Sequence, residues 1–302
     1  MEFLYSEGLG VYTSRKGTTV LRILLCYNTY NKKDDVYHPY FFGGNHMDRG
    51  LVSIIMPSWN TADYILETIK SVMAQTYQNW ELIIVDDAST DSTLELLKSL
   101  DDSRIRLLVN EVNSGAAVSR NKALREAKGE WIAFLDSDDL WMPDKLEKQI
   151  RFMDENGYHF SYTNYSEIDE SGNRLGVTVT GPKHITKTGF YNYCWPGCLT
   201  VMYNRNYVGL IQIEDIKKNN DYAMWLKVCK KADCYLLDEE LALYRRGRTG
   251  SISSHGITKL IGWHYKLFRK AEGENPVFAA FNTARNMVFG FYKKKRYVKR
   301  GV

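Results

Sequence analysis

The chain has no hydrophobic run long enough to cross a bilayer. Its most apolar early stretch, Val20 to Tyr27, is short and interrupted by Arg22. No small-residue cleavage site follows it, so an export signal is not expected and a cytoplasmic location is. A disulfide framework is missing too. The five cysteines, at 26, 194, 198, 229 and 234, are odd in number and irregular in spacing, which suits a reducing compartment. Cys194-x-x-x-Cys198 looks like half a zinc site, but no Cys-x-x-Cys or His-x-x-x-His pair accompanies it. A dinucleotide-binding G-x-G-x-x-G is absent: Pro57, Ser58, Trp59 and Asn60 occupy the turn after the first strand. The P-loop order is absent, because Lys16 precedes Gly17. The Gly-rich, Arg-containing loop of a nucleotidyltransferase is also missing. There is no internal repeat. Net charge is only +4, so no strong overall field selects a partner. A nucleic-acid partner has only the basic tail, Tyr292 to Arg300, in its favour and is not expected.

Within those limits, residues 1–50 form a poorly patterned N-terminal extension, broken at Gly43-Gly44. A functional start near Met47 is expected, just before the first convincing strand. From Leu51 the pattern becomes regular. Leu51–Met56, Trp80–Val85, Ile105–Val109 and Trp131–Leu135 are short apolar runs, as buried parallel strands require. Between them lie helices. Ile65, Ile69, Val72 and Met73 fall at helical spacing. Ser92-x-x-Glu95 reads as a capping box, and Ala116–Ala127 reads as a helix stopped by Gly129. This alternation predicts an α/β fold with a doubly wound, mostly parallel sheet and helices on both faces. Such sheets bind ligands at the carboxyl ends of their strands. The polar clusters Ser58–Asn60, Asp86-Asp87, Asn113–Gly115 and Asp136–Asp139 all sit there.

Three carboxylates at Asp136, Asp138 and Asp139 repel one another, and a hard divalent cation with oxygen ligands would relieve this. The competing reading is an acidic cap for the helix starting near Pro143. Asp91 and Ser92 suit helix capping. Asp87 suits a hydrogen bond from a base or ribose. Trp59 fits either a stack on a planar base or a place in the core.

In order along the chain stand Val52–Asn60 (VSIIMPSWN), Val85–Asp91 (VDDASTD), Asn113-x-Gly115 with Ser119–Asn121, Gly129–Asp139 (GEWIAFLDSDD), and Asn220–Tyr222 with Trp225. This ordered set resembles the family 2 inverting glycosyltransferases of GT-A fold that act in bacterial capsule and lipopolysaccharide assembly. The resemblance covers about residues 50 to 255. It implies transfer of a sugar from a nucleoside diphosphate donor, usually UDP-linked, to a saccharide or polyprenol-linked saccharide, with Mg²⁺ or Mn²⁺. It places Pro57, Trp59 and Asp87 around the nucleotide, Arg120 in the donor pocket and Asp136 on the nucleotide sugar. Asp138 would hold the metal with Asp139 beside it, and Asp221 would be the catalytic base. An acid normally precedes that base; here Asn220 does. Arg245, with Arg246 and Arg248, falls in the late loop of the family, followed by Ser251-Ile-Ser253, and suits either a diphosphate or plain solvation. His255 stands alone in that loop. A catalytically silent glycan- or partner-binding module of the same fold is the contrasting reading.

The implied division is a catalytic domain over 51–255, with a nucleotide-binding half (51–140) and an acceptor half (141–255). A helical, basic segment over 256–302 follows. There Trp263, Tyr265, Leu267, Phe268, Phe278, Phe281, Val288, Phe289, Phe291 and Tyr292 mix with lysines and arginines. That mixture suits an anionic membrane surface, or equally two ordinary closing helices with a solvated tail.

Overall fold

The structure of the protein, a computed structural model, describes residues 49–214, 216, 218–247 and 257–301. Met47 and the extension before it, Arg248, Ser251-Ile-Ser253 and His255 lie outside the described residues. Asp48–Val302 forms one compact unit.

Four parallel strands build the first half: β1 (Val52–Ser58), β2 (Trp80–Asp86), β3 (Ile105–Val109) and β4 (Trp131–Phe134), in the order β4-β1-β2-β3. Every residue of β1 and β2 is buried, because helices cover both faces. On one face Ile55, Ile83 and Val85 pack with Ala117, Ala123 and Leu124 of α3 (Ala116–Glu126). On the other, Val52, Ile54, Met56, Leu82 and Ile84 pack against three helices. These are α1 (Ile65–Met73), α2 (Thr93–Lys98) and α4 (Lys145–Asn156). Alternate strand residues thus serve opposite cores, and a two-sided core demands the continuous apolar runs seen in the sequence.

Two local expectations change. Ser92 makes no side-chain capping bond; the first-turn amide of Thr93 donates to Asp91 Oδ1 (3.0 Å), and Asp91 also takes the amide of Ala62. Asp91 binds because it can span from α2 to the loop before α1. Gly129 does not cap α3, because the C-cap Ala127 already turns to extended backbone. A Cβ at Gly129 would lie 2.5 Å from the Ser53 nitrogen and 2.6 Å from the Leu51 oxygen. Glycine is needed there so that two backbones can touch.

The second half is mixed. β9 (Met202–Asn204) runs antiparallel to β4 and joins it to β6 (Phe160–Ile168). β6 carries β7 (Arg174–Val179) on one side and runs parallel to β10 (Cys234–Arg245). The sequence pattern reads as two strands, at 234–237 and 241–245; the structure joins them in one. Register shifts at Leu237, Glu240 and Ala242 interrupt its periodicity. The short strands β5 (Leu140–Trp141) and β8 (His184–Ile185) pair antiparallel with β10. Two short helices, α5 (Lys187–Asn192) and α6 (Arg205–Val208), precede α7 (Asn220–Val228). Finally α8 (Ile257–Lys266), a π-helical turn (Leu267–Ala271) and α9 (Pro276–Arg296) lead into β11 (Val298–Arg300), which pairs with β7. The C-terminal basic segment therefore supplies an edge strand of the main sheet. Among the described residues, no helix is long and apolar enough to cross a membrane.

Candidate active site

The ends of β1 and β2 form the first wall. Pro57 lies past the last β1–β4 pair, at Ile55, so its missing N–H costs no bond on that side. Trp59 follows the strand and is 48% exposed; it is not a core residue. Asn60 (φ 49°) and Ala88 (φ 56°) both adopt left-handed backbone, a conformation that costs free energy and gathers at functional sites. They are locked together: Asn60 donates its amide to Ser89 Oγ and accepts from the Thr90 amide at 2.8 Å. Asp87 is buried and accepts from Asn110 Nδ2 (2.7 Å) and the amides of Ser114 (3.0 Å) and Gly115 (2.7 Å). It fixes the loop between β3 and α3 against β2. Asp86 beside it takes the Ser89 amide on one oxygen, and its other oxygen has no partner among the described residues.

The acidic loop after β4 forms the second wall, and its three carboxylates are treated differently. Asp136 receives Arg120 Nη2 at 2.5 Å and keeps a third of its side-chain surface exposed. Asp138 is half-buried. Asp139 is buried and accepts the Arg245 amide (2.9 Å). Burial, followed by the charges of Asp138 and Asp136, pushes its carboxyl well above the usual carboxylate range.

That pairing arises because β5, directly after Asp139, runs alongside the end of β10. It also decides Arg245. The sequence places Arg245 among the donor contacts, but its side chain is 1% exposed. Its guanidinium donates to the carbonyls of Asp138, Asp169 and Glu170 and to Glu67 Oε2 at 2.6 Å. Arg245 is a brace for the acidic loop, with its donors already spent on protein acceptors. Arg246 pairs with Glu167.

The third wall is the start of α7. Asn219 stands in left-handed backbone (φ 59°) at the helix boundary, and this turn presents Asn220 and Asp221. Arg120 Nη1 donates to Asn220 Oδ1 at 2.9 Å. One guanidinium therefore joins the acidic loop to the helix that carries Asp221. It also gives Asn220, the departure from the usual acidic residue, a definite partner. Burial raises the Asp221 carboxyl above its ordinary range. Arg120 and the Tyr222 amide, at 2.8 Å from Oδ1, pull it back, and Asp136 adds to the rise.

Residues 53–202 match the family described as Glycosyl transferase family 2. TuaG of Bacillus subtilis (strain 168), named for teichuronic acid biosynthesis, is 46% identical over 198 residues, spanning 65% of this chain and 79% of TuaG. This chain belongs to glycosyl transferase family 2. A second family relative is WfgD of Escherichia coli, a UDP-Glc:α-D-GlcNAc-diphosphoundecaprenol β-1,3-glucosyltransferase. It is 46% identical over 184 residues, 61% of this chain and 72% of WfgD. The fold is similar to that of S. aureus TarS 1–349 in complex with UDP-GlcNAc. That match has a TM-score of 0.62 and 20% identity, and it covers 81% of this chain and 74% of TarS. The α/β sheet expected from the strand–helix alternation and the GT-A fold implied by the family resemblance are both borne out.

Among the described residues, no three His, Cys, Asp or Glu side chains are arranged as a metal cage. The donor set nevertheless fits a hard cation in part. It is all oxygen, and Asp138 and Asp136 keep exposed surface. Asp139, expected beside Asp138 as a ligand, is committed to the Arg245 amide. A cation here would take most of its ligands from a diphosphate and water. Cys194 and Cys198 are free thiols, as are Cys229 and Cys234. Sequence reasoning had no signal for Glu67 or Asn219, whose roles come from partners distant in the chain and from backbone conformation.

Proposed function

We propose that this family 2 member is an inverting glycosyltransferase that moves a hexose from a UDP-sugar to a polyprenol-diphosphate-linked sugar in cell-surface polysaccharide synthesis. The observation that carries the reading is the Arg120 clamp, which holds donor-side Asp136 and base-side Asn220 on one guanidinium. Donor and base then belong to a single site. Trp59 offers an exposed ring for the base, and Asp87 and Pro57 shape the pocket around it. Asp221 accepts the proton of the acceptor hydroxyl as that oxygen attacks the anomeric carbon. The nucleoside diphosphate departs from the opposite face, so an α-linked donor yields a β-glycoside. Asp138, with Asp136 beside it, would hold Mg²⁺ or Mn²⁺, which neutralises charge on the diphosphate when bound. The names of the relatives support the donor and acceptor classes, WfgD above all.

The decisive experiment supplies purified protein with UDP-glucose, UDP-galactose or UDP-GlcNAc, a GlcNAc-diphospholipid and Mn²⁺. A β-linked disaccharide lipid is expected. Donor binding without any transfer would instead support the silent module.

The membrane is part of the same proposal, at its cytoplasmic face. The aromatic residues divide: Leu267 and Phe268 are buried, and Phe289 packs on the core. Val277, Phe278, Phe281, Val288, Phe291 and Tyr292 remain exposed along α9, beside exposed Lys294, Lys295 and Arg296. An apolar stripe flanked by cations suits anionic lipid. Sedimentation with phosphatidylglycerol vesicles tests it: Phe281→Glu with Phe291→Glu is expected to abolish recovery, and unchanged recovery rejects this face.

A further inference from the structure

The sequence has no motif on the acceptor side, and it does not distinguish among the C-terminal lysines. The structure separates them. Lys294 and Lys295 are exposed, whereas Lys293 turns inward from α9 and is half-buried. Its ammonium donates to the carbonyl oxygens of Trp195 (2.7 Å) and Cys194 (3.3 Å), and sits 5.4 Å from the centre of the Tyr193 ring. These carbonyls belong to a segment outside helix and strand, so the ladder bonds of regular structure do not serve them.

The same face of α9 holds the residues just before that segment. Arg285 donates to Asn192 Oδ1 and to the Thr188 carbonyl. Asn286, fully buried, donates to the Tyr191 carbonyl (3.2 Å) and to the Tyr222 hydroxyl (2.7 Å). That hydroxyl in turn donates to the Phe190 carbonyl. Tyr222 directly follows Asp221, so α9 ties residues 188–195 to the start of α7. Lys293, Tyr193 and Cys194 lie within electrostatic reach of Asp221. Cys198, farther along the segment, reaches Arg120, Asp136 and Asp221. Tyr193–Cys198 thus runs from the base toward the donor side.

The geometry points to Lys293 as a positioning residue for the acceptor: by capping the Cys194 and Trp195 carbonyls it fixes Tyr193–Trp195 as the wall that holds the acceptor sugar beside Asp221. This inference rests on the proposed glycosyl transfer. An ammonium has three donors and a long stem, so one side chain can serve two successive carbonyls. Without it they lose their cap and the wall shifts; displacement of about 1 Å near reacting groups costs up to about 100-fold in rate. The wall lies on the base side, so the loss falls on acceptor terms.

The test uses the full chain, the UDP-sugar that the wild type accepts, and a water-soluble short-chain sugar diphospholipid, with no membrane present. For Lys293→Met the acceptor KM is expected to rise about 10-fold or more with a fall in kcat, while donor Kd stays within about twofold. Lys293→Arg recovers most of the acceptor KM. Lys98→Met, which removes the same charge from an exposed helix position outside the site, matches the wild type. KM does not depend on the folded fraction, so partial unfolding cannot imitate the result. A wild-type acceptor KM in Lys293→Met overturns the inference, as does an equal loss of donor affinity. Absence of transfer by the wild type, measured first, overturns the underlying reading and this inference with it.

Discussion

The two sides proposed for the site, nucleotide and acceptor, are built in different ways. On the nucleotide side, β1, β2 and β4 deliver Trp59, Asp87 and Asp136 from their carboxyl ends, each a residue or two past its strand. Covering helices bury these strands on both faces, so the polar residues at their tips face one edge by construction. Within the second half of the chain, and where it meets the first, almost nothing is local. Asp139 meets Arg245 across 106 positions, Arg120 meets Asn220 across 100, and Trp195 meets Lys293 across 98. A parallel sheet can place ligands by topology alone, whereas the irregular half needs long side chains to hold its walls. Arginine and lysine supply them.

The largest expected break in this comparison is at the base. Asp221→Asn should lower transfer by about 10²- to 10⁴-fold with donor affinity unchanged by calorimetry. The raised Asp221 carboxyl adds a pH signature. Its protonated form cannot take the acceptor proton, so activity is present above its pKa and lost as pH falls through it. The acid limb should therefore lie above the ordinary aspartate value of about 3.9. A Asp221→Asn variant with full turnover removes Asp221 from the mechanism.

Next in size is the brace. Arg245→Met leaves Glu67, the Asp138 carbonyl and the 169–170 carbonyls without their cation, and should cost about 3 kcal/mol of stability in urea unfolding. A diphosphate-binding arginine would instead raise donor KM at an unchanged unfolding midpoint, so the two roles separate cleanly.

Trp59→Ala should do the reverse of Arg245→Met. Loss of a stacking ring worth about 1–2 kcal/mol raises donor KM roughly 10-fold, and the unfolding midpoint stays in place because the ring is exposed. Unaltered donor KM would leave the nucleotide wall without its stacking platform.

The smallest effect sharpens a local assignment. Asp91→Ala should cost about 1 kcal/mol, as loss of a cap does, while Ser92→Ala should stay within about 0.5 kcal/mol. Equal costs at the two positions would restore the capping box.

Much of the nucleotide half is legible without coordinates. Ile54 and Ile55 on opposite faces, the helical spacing of Ile65, Ile69 and Val72, and polar clusters after each strand all follow from period and burial. The misreadings are instructive. Ser92 and Glu95 have the spacing of a capping box, but Asp91 is also bonded to the Ala62 amide, a contact that spacing cannot register. Gly129 looked like a helix stop, yet its neighbour is the Ser53 backbone 76 positions away. The register shifts of β10 break the alternation that marks a strand, so its sequence reads as two.

By itself, the sequence determined the alternating architecture and the edge at which the polar clusters gather, and its resemblance to the family supplied Asp221 beside the candidates Asp136 and Asp138. Burial periodicity and the right-handed crossover rule allow few other arrangements. Only the tertiary structure decided which cations turn inward and what they hold. Arg245 and Arg246 are adjacent in sequence, as are Lys293 and Lys294, and charge pattern treats each pair alike. One member of each pair turns inward to carbonyls and carboxylates brought there by β10 and α9. The partners of a charged side chain depend on how distant elements pack, and periodicity reports the buried face of an element without naming what lies against it.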